Sequence, residues 1–148
     1  MKWGLLALAA LPLAAAGLAK EDDALHADLT RNGRTPRVNY MIECQGCHLS
    51  DGSGMPGKVP VLKGEISRFL SVEGGRQFIV RVPGVTNAKL SDADLADVMN
   101  WLILTMDKPA AADGFVPYTA KEIAANRNLR LQDVAPVRSE LVSRFRPR

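Results

Sequence analysis

The sequence predicts an all-α fold, and three observations carry that prediction. Leu95, Val98, Met99, Leu102, Ile103 and Met106 recur at helical spacing behind Ser91, a good N-cap, and make one apolar stripe. Val38–Glu43 reads as a short helix entered through Pro36, since proline tolerates the first turn. Arg76–Val82 ends in β-prone residues and in isolation fits strand or helix. Its setting between two helical segments favours a helix with Phe78, Ile79 and Val82 on one face.

From the N-terminus, Met1–Ala19 reads as a secretion signal. Lys2 is a short positive start, Leu5–Leu11 an apolar run extended to Ala16, and Gly17-Leu18-Ala19 a small-residue cleavage site. The run is short for a membrane span and Pro12 interrupts it, so no integral span is expected after cleavage. Residues 20–36 form a polar arm carrying His26, one of two histidines. A central domain over 37–108 follows, then an extension over 109–148. In that extension Thr119-Ala120-Lys121-Glu122 can cap a helix running to about Leu131. Glu65–Leu70 is a helical turn, Gly74-Gly75 breaks it, and Pro83-Gly84 ends the helix after Arg76.

The stretch that organises the domain is Cys44-Gln45-Gly46-Cys47-His48. Two thiols three apart, followed at once by an imidazole, is the attachment pattern of c-type haem. Each thiol can add to one haem vinyl group, and the adjacent imidazole becomes an axial iron ligand. These are the chain's two cysteines. A disulfide across two intervening residues closes too small a loop to add much to a fold, and no cysteine remains to complete a four-ligand zinc site. A dithiol oxidoreductase would need a βαβ setting that this sequence lacks. Covalent haem attachment takes place outside the cytoplasm in bacteria, so leader and motif support each other.

Twelve residues after His48 stands Pro60, followed by Val61-Leu62. Cys44–Leu62 resembles the start of the small monohaem cytochromes c of class I, and Leu90–Leu102 resembles their C-terminal helix. The resemblance implies a cytochrome c domain of crossed helices around one covalent haem c, over residues 37–108. It implies a Pro60 carbonyl that holds the second ring nitrogen of the proximal His48. It also implies a contact between the N- and C-terminal helices, through Ala96 and Trp101 against Tyr40. The family's distal methionine, usually before a proline ahead of the last helix, has no counterpart: Arg81-Val82-Pro83 has the proline without it. For the sixth ligand the candidate is Met106 at the helix end, with Met99 or His26 as alternatives and an open or water-bound site beside them. Met55 follows His48 too closely to reach the other face.

The net charge is +3, but Lys121–Arg148 holds seven basic and three acidic side chains, so the basic character sits in the tail. An exported protein meets no nucleic acid; an acidic partner surface or anionic headgroups suit the tail better. No catalytic acid–base set surrounds the motif, so an enzyme is not expected. The resulting expectation is a periplasmic electron carrier whose partner is a redox protein: a dehydrogenase, an oxidase or a larger cytochrome. The alternative is a haem-based sensor or gas-binding protein, or a weak peroxidase, with an open distal site.

Overall fold

The computed structural model describes residues 32–107 and 114–147. The expected leader Met1–Ala19, His26 with the arm up to residue 31, and Pro109 lie outside the described residues. Within them the regular elements are helices, with a single isolated bridge between Met55 and Val59 in place of any strand.

Helix α1 spans Pro36–Glu43 and α2 spans Gln45–His48. Thr35 caps α1 by accepting from the Val38 N–H at 3.3 Å, and Pro36 occupies the first turn as expected. Cys44 breaks the helix, with φ −126°, yet its N–H still reaches the Tyr40 carbonyl at 2.9 Å. The attachment stretch therefore grows directly out of a rigid helix. That helix is held by α6 (Asp92–Met106). Tyr40, 1% exposed, meets Trp101 with ring centroids 5.5 Å apart, the contact the sequence resemblance implies. Ala96 is buried on the same helix.

Helix α6 begins as its sequence dictates. The Ser91 hydroxyl accepts from the Asp94 N–H at 3.1 Å and donates to the Asp94 carboxylate at 2.6 Å. Asp92 and Asp94 lie in the positively polarised first turn. Leu95, Val98, Met99, Leu102 and Ile103 are all buried; Met106, at the end, is only partly so.

Between these helices run α3 (Ile66–Leu70), α4 (Gly75–Arg81) and α5 (Pro83–Thr86). The ambiguous Arg76–Val82 segment is helical up to Arg81. Helices α3 and α4 pack so closely that a Cβ on Gly75 would collide with the Phe69 carbonyl. This lets the Phe69 and Phe78 rings stack at 5.1 Å. Pro83 ends α4 and then serves as first residue of α5, a turn that sequence reading does not anticipate.

The extension differs from its expected form. The helix after Thr119 stops at Arg127 (α7, Ala120–Arg127), and a second helix follows (α8, Val134–Ser143). The break has physical causes: the Leu131 N–H donates outward to the Arg81 carbonyl at 3.0 Å, and Asp133 starts a new helix by accepting from the Ala135 N–H at 3.2 Å. Thr119 caps α7, accepting from the Glu122 N–H at 3.2 Å. Glu122 does not close the capping box. Its carboxylate accepts from Arg76 at 2.5 and 2.8 Å.

The extension is docked on the domain. The Asn100 side chain exchanges two hydrogen bonds with the Tyr118 backbone, at 2.7 and 3.0 Å. The Arg127 guanidinium donates to the Leu90 and Ala88 carbonyls and to Asp92, at 2.9, 2.8 and 3.0 Å. Arg130 donates to Asn87, and Arg144 to the Glu73 carbonyl. Much of the tail's basic charge, which in the sequence suggests a partner-facing feature, is thus engaged in holding the extension down. Among the described residues no helix is long and apolar enough to cross a membrane.

Candidate functional site

A cavity opens where α2, the loop after it, α3–α6 and α8 converge. One wall carries Cys44, Cys47 and His48. Cys44 is half-buried and Cys47 exposed, and neither is in a disulfide. In the apoprotein, burial pushes the Cys44 thiol up to about 11, with the charges of Glu43 and Cys47 adding to the effect.

The loop 49–62 turns the histidine ring into a defined donor. Leu49 leaves the helix at φ +62°, held there by the Tyr40 hydroxyl, which donates to its carbonyl at 2.7 Å. The Gly54 N–H then donates back to the His48 carbonyl at 3.1 Å. Met55 and Val59 exchange backbone bonds at 3.0 and 2.8 Å, closing a small hairpin-like turn. This folds Pro60 back over the histidine, where its carbonyl lies 3.1 Å from His48 Nδ1. A carbonyl can only accept, so Nδ1 carries the proton and the other ring nitrogen keeps its lone pair for a metal. Gly54 makes the return possible. Its φ is +67°, and a Cβ there would sit 2.5 Å from the Val59 oxygen and 2.7 Å from that of Pro60. Burial lowers the His48 pKa, and the Pro60 hydrogen bond partly opposes this. The ring is therefore neutral at neutral pH, as ligation requires.

The other walls are apolar. Ile66, Phe69, Phe78 and Ile79 form one side; Val82, Val85 and Ala88 a second; Leu95, Val98, Met99 and Leu102 of α6 a third; and Val134 of α8 closes the ring. Besides His48 and the two thiols, polar side chains on the wall come from Glu43 and Arg138. An apolar slot with two thiols and a neutral imidazole on one wall suits a flat hydrophobic macrocycle bearing an iron. Elsewhere among the described residues, no group of three or more His, Cys, Asp or Glu is placed to hold a metal.

Of the distal candidates, Met99 lies on the cavity wall, while Met106 does not. Met106 lines a separate surface depression with Arg37, Asp51, Lys63 and Trp101, its sulfur close against Gly52. The reason is axial distance: seven residues of straight helix carry Met106 about 10 Å beyond Met99, past the end of the slot. A shared apolar stripe says nothing about where along the helix the cavity stops. His26 lies outside the described residues. Sequence reading does not single out Arg138, because it stands within a generally basic tail. Its signal is local: it lies four residues after Val134 and three before Leu141, on the inward side of α8.

No protein-family model matches the chain. Two relatives are similar to it, both named cytochrome c-552 and both from Thermus thermophilus. Each is 30% identical over 112 residues, covering 64% of this chain and 83% and 74% of the respective relative. With this similarity joined to an all-helical fold, the chain belongs to the class I c-type cytochromes, electron-transfer proteins that carry covalently attached haem c.

Proposed function

We propose that this protein is an exported electron carrier. Its one haem is attached through Cys44 and Cys47, with His48 as proximal iron ligand and the Pro60 carbonyl as outer partner of that ring. The observation that carries the assignment is the 3.1 Å contact from His48 Nδ1 to the Pro60 oxygen. A solvated histidine after two cysteines has no need of it, whereas a metal-ligating one does. The bound haem would supply the one-electron couple. The chain's own part is to fix the ring's tautomer, exclude water with aliphatic walls, and leave Cys47 and its surroundings at the surface. Met41, Ile42, Leu49 and Val61 are exposed around that point. The leader supports a periplasmic location, and the partner is a redox protein there: a dehydrogenase, an oxidase or a larger cytochrome.

A second reading has its own observation. Where the resembled family carries its methionine, this chain sets Val82 and Val85 on the cavity wall. Neither side chain can ligate iron. Met99 stands among Leu95 and Leu102 on α6 at 4% exposure, the setting of a core methionine. These placements support an open or labile distal position, which lowers the reduction potential relative to thioether ligation and admits small ligands.

Spectra of the wild type, Met99→Leu and Met106→Leu test both readings. The expected result is immediate carbon monoxide binding by all three reduced proteins and no sulfur-to-iron charge-transfer band in the oxidised ones. A band present in the wild type and lost in Met99→Leu would make Met99 the ligand and end the open-site reading. A protein that carries no haem would end the carrier reading itself.

A further inference from the structure

The depression that holds Met106 lies where the first turn of α1, the start of the loop after His48, Lys63-Gly64 and the last turns of α6 meet. Its volume is about 510 Å³, and none of its lining residues lines the cofactor cavity. We propose that it is a second ligand site, which takes a small aromatic monocarboxylate. The site stands apart from the haem assignment and does not depend on it.

The floor selects the body of the ligand. Trp101 is partly buried, and its ring is fixed on one side by Tyr40, with centroids 5.5 Å apart. The depression is bounded by the rest of that side chain. Met106 stands beside it, its carbonyl accepting from the Gly64 N–H at 3.1 Å and its sulfur close against Gly52. An indole and a thioether both favour an aromatic ring over an aliphatic group of equal area, the first by offset or edge contact and the second by sulfur–ring contact. Both surfaces are held by the packing of α1, α6 and the loop, so a ligand need not order them.

The rim selects its charge. Arg37 is exposed and makes no hydrogen bond or ion pair among the described residues. Arg68, Arg76 and Arg127 differ, each being paired with a carboxylate. Lys63 meets Asp51 at 3.5 Å, with both side chains more than half exposed, a geometry that contributes little and leaves the ammonium able to swing away. The rim therefore carries one cation in excess. A carboxylate is the anion whose two oxygens match the guanidinium fork. Asp51 repels a second negative group on the ligand, which sets the limit at one carboxylate. The volume lies in the range of small-molecule sites.

Titration calorimetry on the holoprotein tests this, with benzoate as probe and with wild type, Arg37→Gln and Lys58→Gln. Lys58 is exposed and does not line the depression, so its variant removes the same charge elsewhere. Wild type should bind one benzoate with a Kd of about 1 mM or tighter, ordinary for so small a ligand. Arg37→Gln should weaken binding about fivefold or more, and Lys58→Gln should leave it unchanged. Benzyl alcohol, which lacks the charge, and acetate, which lacks the ring, should each bind at least about tenfold more weakly than benzoate. Absence of saturable benzoate binding would overturn the proposal. So would equal losses in Arg37→Gln and Lys58→Gln, which would reduce the effect to diffuse charge, or acetate binding as tight as benzoate, which would leave an anion site only. Benzoate binding that Arg37→Gln leaves intact would place the ligand elsewhere on the molecule and refute the site. Equal affinity for cyclohexanecarboxylate would refute the aromatic assignment.

Discussion

Replacing Gly54 by alanine should loosen the histidine without touching it. Two costs arise. Gly54 has φ +67°, a region that costs an L residue about 1–2 kcal/mol. The new Cβ would also lie 2.5 Å from the Val59 oxygen and 2.7 Å from the Pro60 oxygen, both backbone atoms, where ordinary contact begins at 3.4 Å. The loop must retreat by a large fraction of an ångström. The Pro60 oxygen starts 3.1 Å from His48 Nδ1, so such a retreat carries it past useful hydrogen-bond range. Losing that bond adds about 1 kcal/mol, for a total of about 2–3 kcal/mol. It also removes the acceptor that strengthens the imidazole as a donor, so the oxidised iron is less stabilised and the reduction potential rises. Gly57 supplies the control. Its φ is +71° and nothing lies within 4 Å of its would-be Cβ, so Gly57→Ala carries the backbone strain alone. Denaturant unfolding and voltammetry of the two holoproteins make the comparison. Equal stability losses and equal potentials in both variants would refute the reasoning.

Three further outcomes are expected. Tyr40→Phe removes the 2.7 Å bond to the Leu49 carbonyl and should cost about 1–2 kcal/mol, read by urea unfolding. It should also change the alkaline limb of stability: burial, then the charges of Cys44 and Asp51, raise the Tyr40 hydroxyl in the apoprotein from 10.0 to about 12. Between these values the folded state keeps a proton that the unfolded chain has given up, so stability present in full below pH 10 is lost as pH rises toward 12. Wild type should lose stability over that window more steeply than Tyr40→Phe. Arg127→Ala strips donors from the Leu90 and Ala88 carbonyls and from Asp92, and should cost about 2–4 kcal/mol while freeing the extension to limited proteolysis. In the apoprotein the lowered His48 pKa means that the unfolded state takes up a proton first as pH falls below 6.5. Apoprotein stability should therefore decline with acidification in that range, and His48→Gln should flatten the decline.

What can be read from the sequence follows the reach of the chemistry. Cys44, Cys47 and His48, the proposed attachment and ligand set, are adjacent in the chain, and a set that meets one cofactor edge is revealed by local spacing. Tyr40 and Trp101 are legible because each sits at a fixed helical offset within its own helix, and the family resemblance pairs the helices. The cavity wall away from the motif includes Val82, Val85 and Val134 of α8, elements brought together by tertiary packing, and no spacing rule links them. Met106, which does not line the cavity, illustrates the same limit. Periodicity reports which face a residue occupies, and the depth of the cavity along that face is a property of the other helices. The tail misleads in a different way. Counting its charges suggests a surface for a partner, whereas Arg127 and Arg144 are consumed by carbonyls that only the folded domain presents. The break between α7 and α8 is hidden because Leu129 and Leu131 continue an apolar count through a segment whose backbone bonds turn outward.

The most direct test of the account is the intact mass of the purified protein, taken together with its reduced spectrum after acid–acetone extraction. The account predicts a polypeptide carrying the mass of one haem that extraction does not remove, with a c-type spectrum, and loss of the adduct in the Cys44→Ser, Cys47→Ser double variant. A polypeptide of unmodified mass with two free thiols, or a haem that washes out into the organic phase, would contradict it.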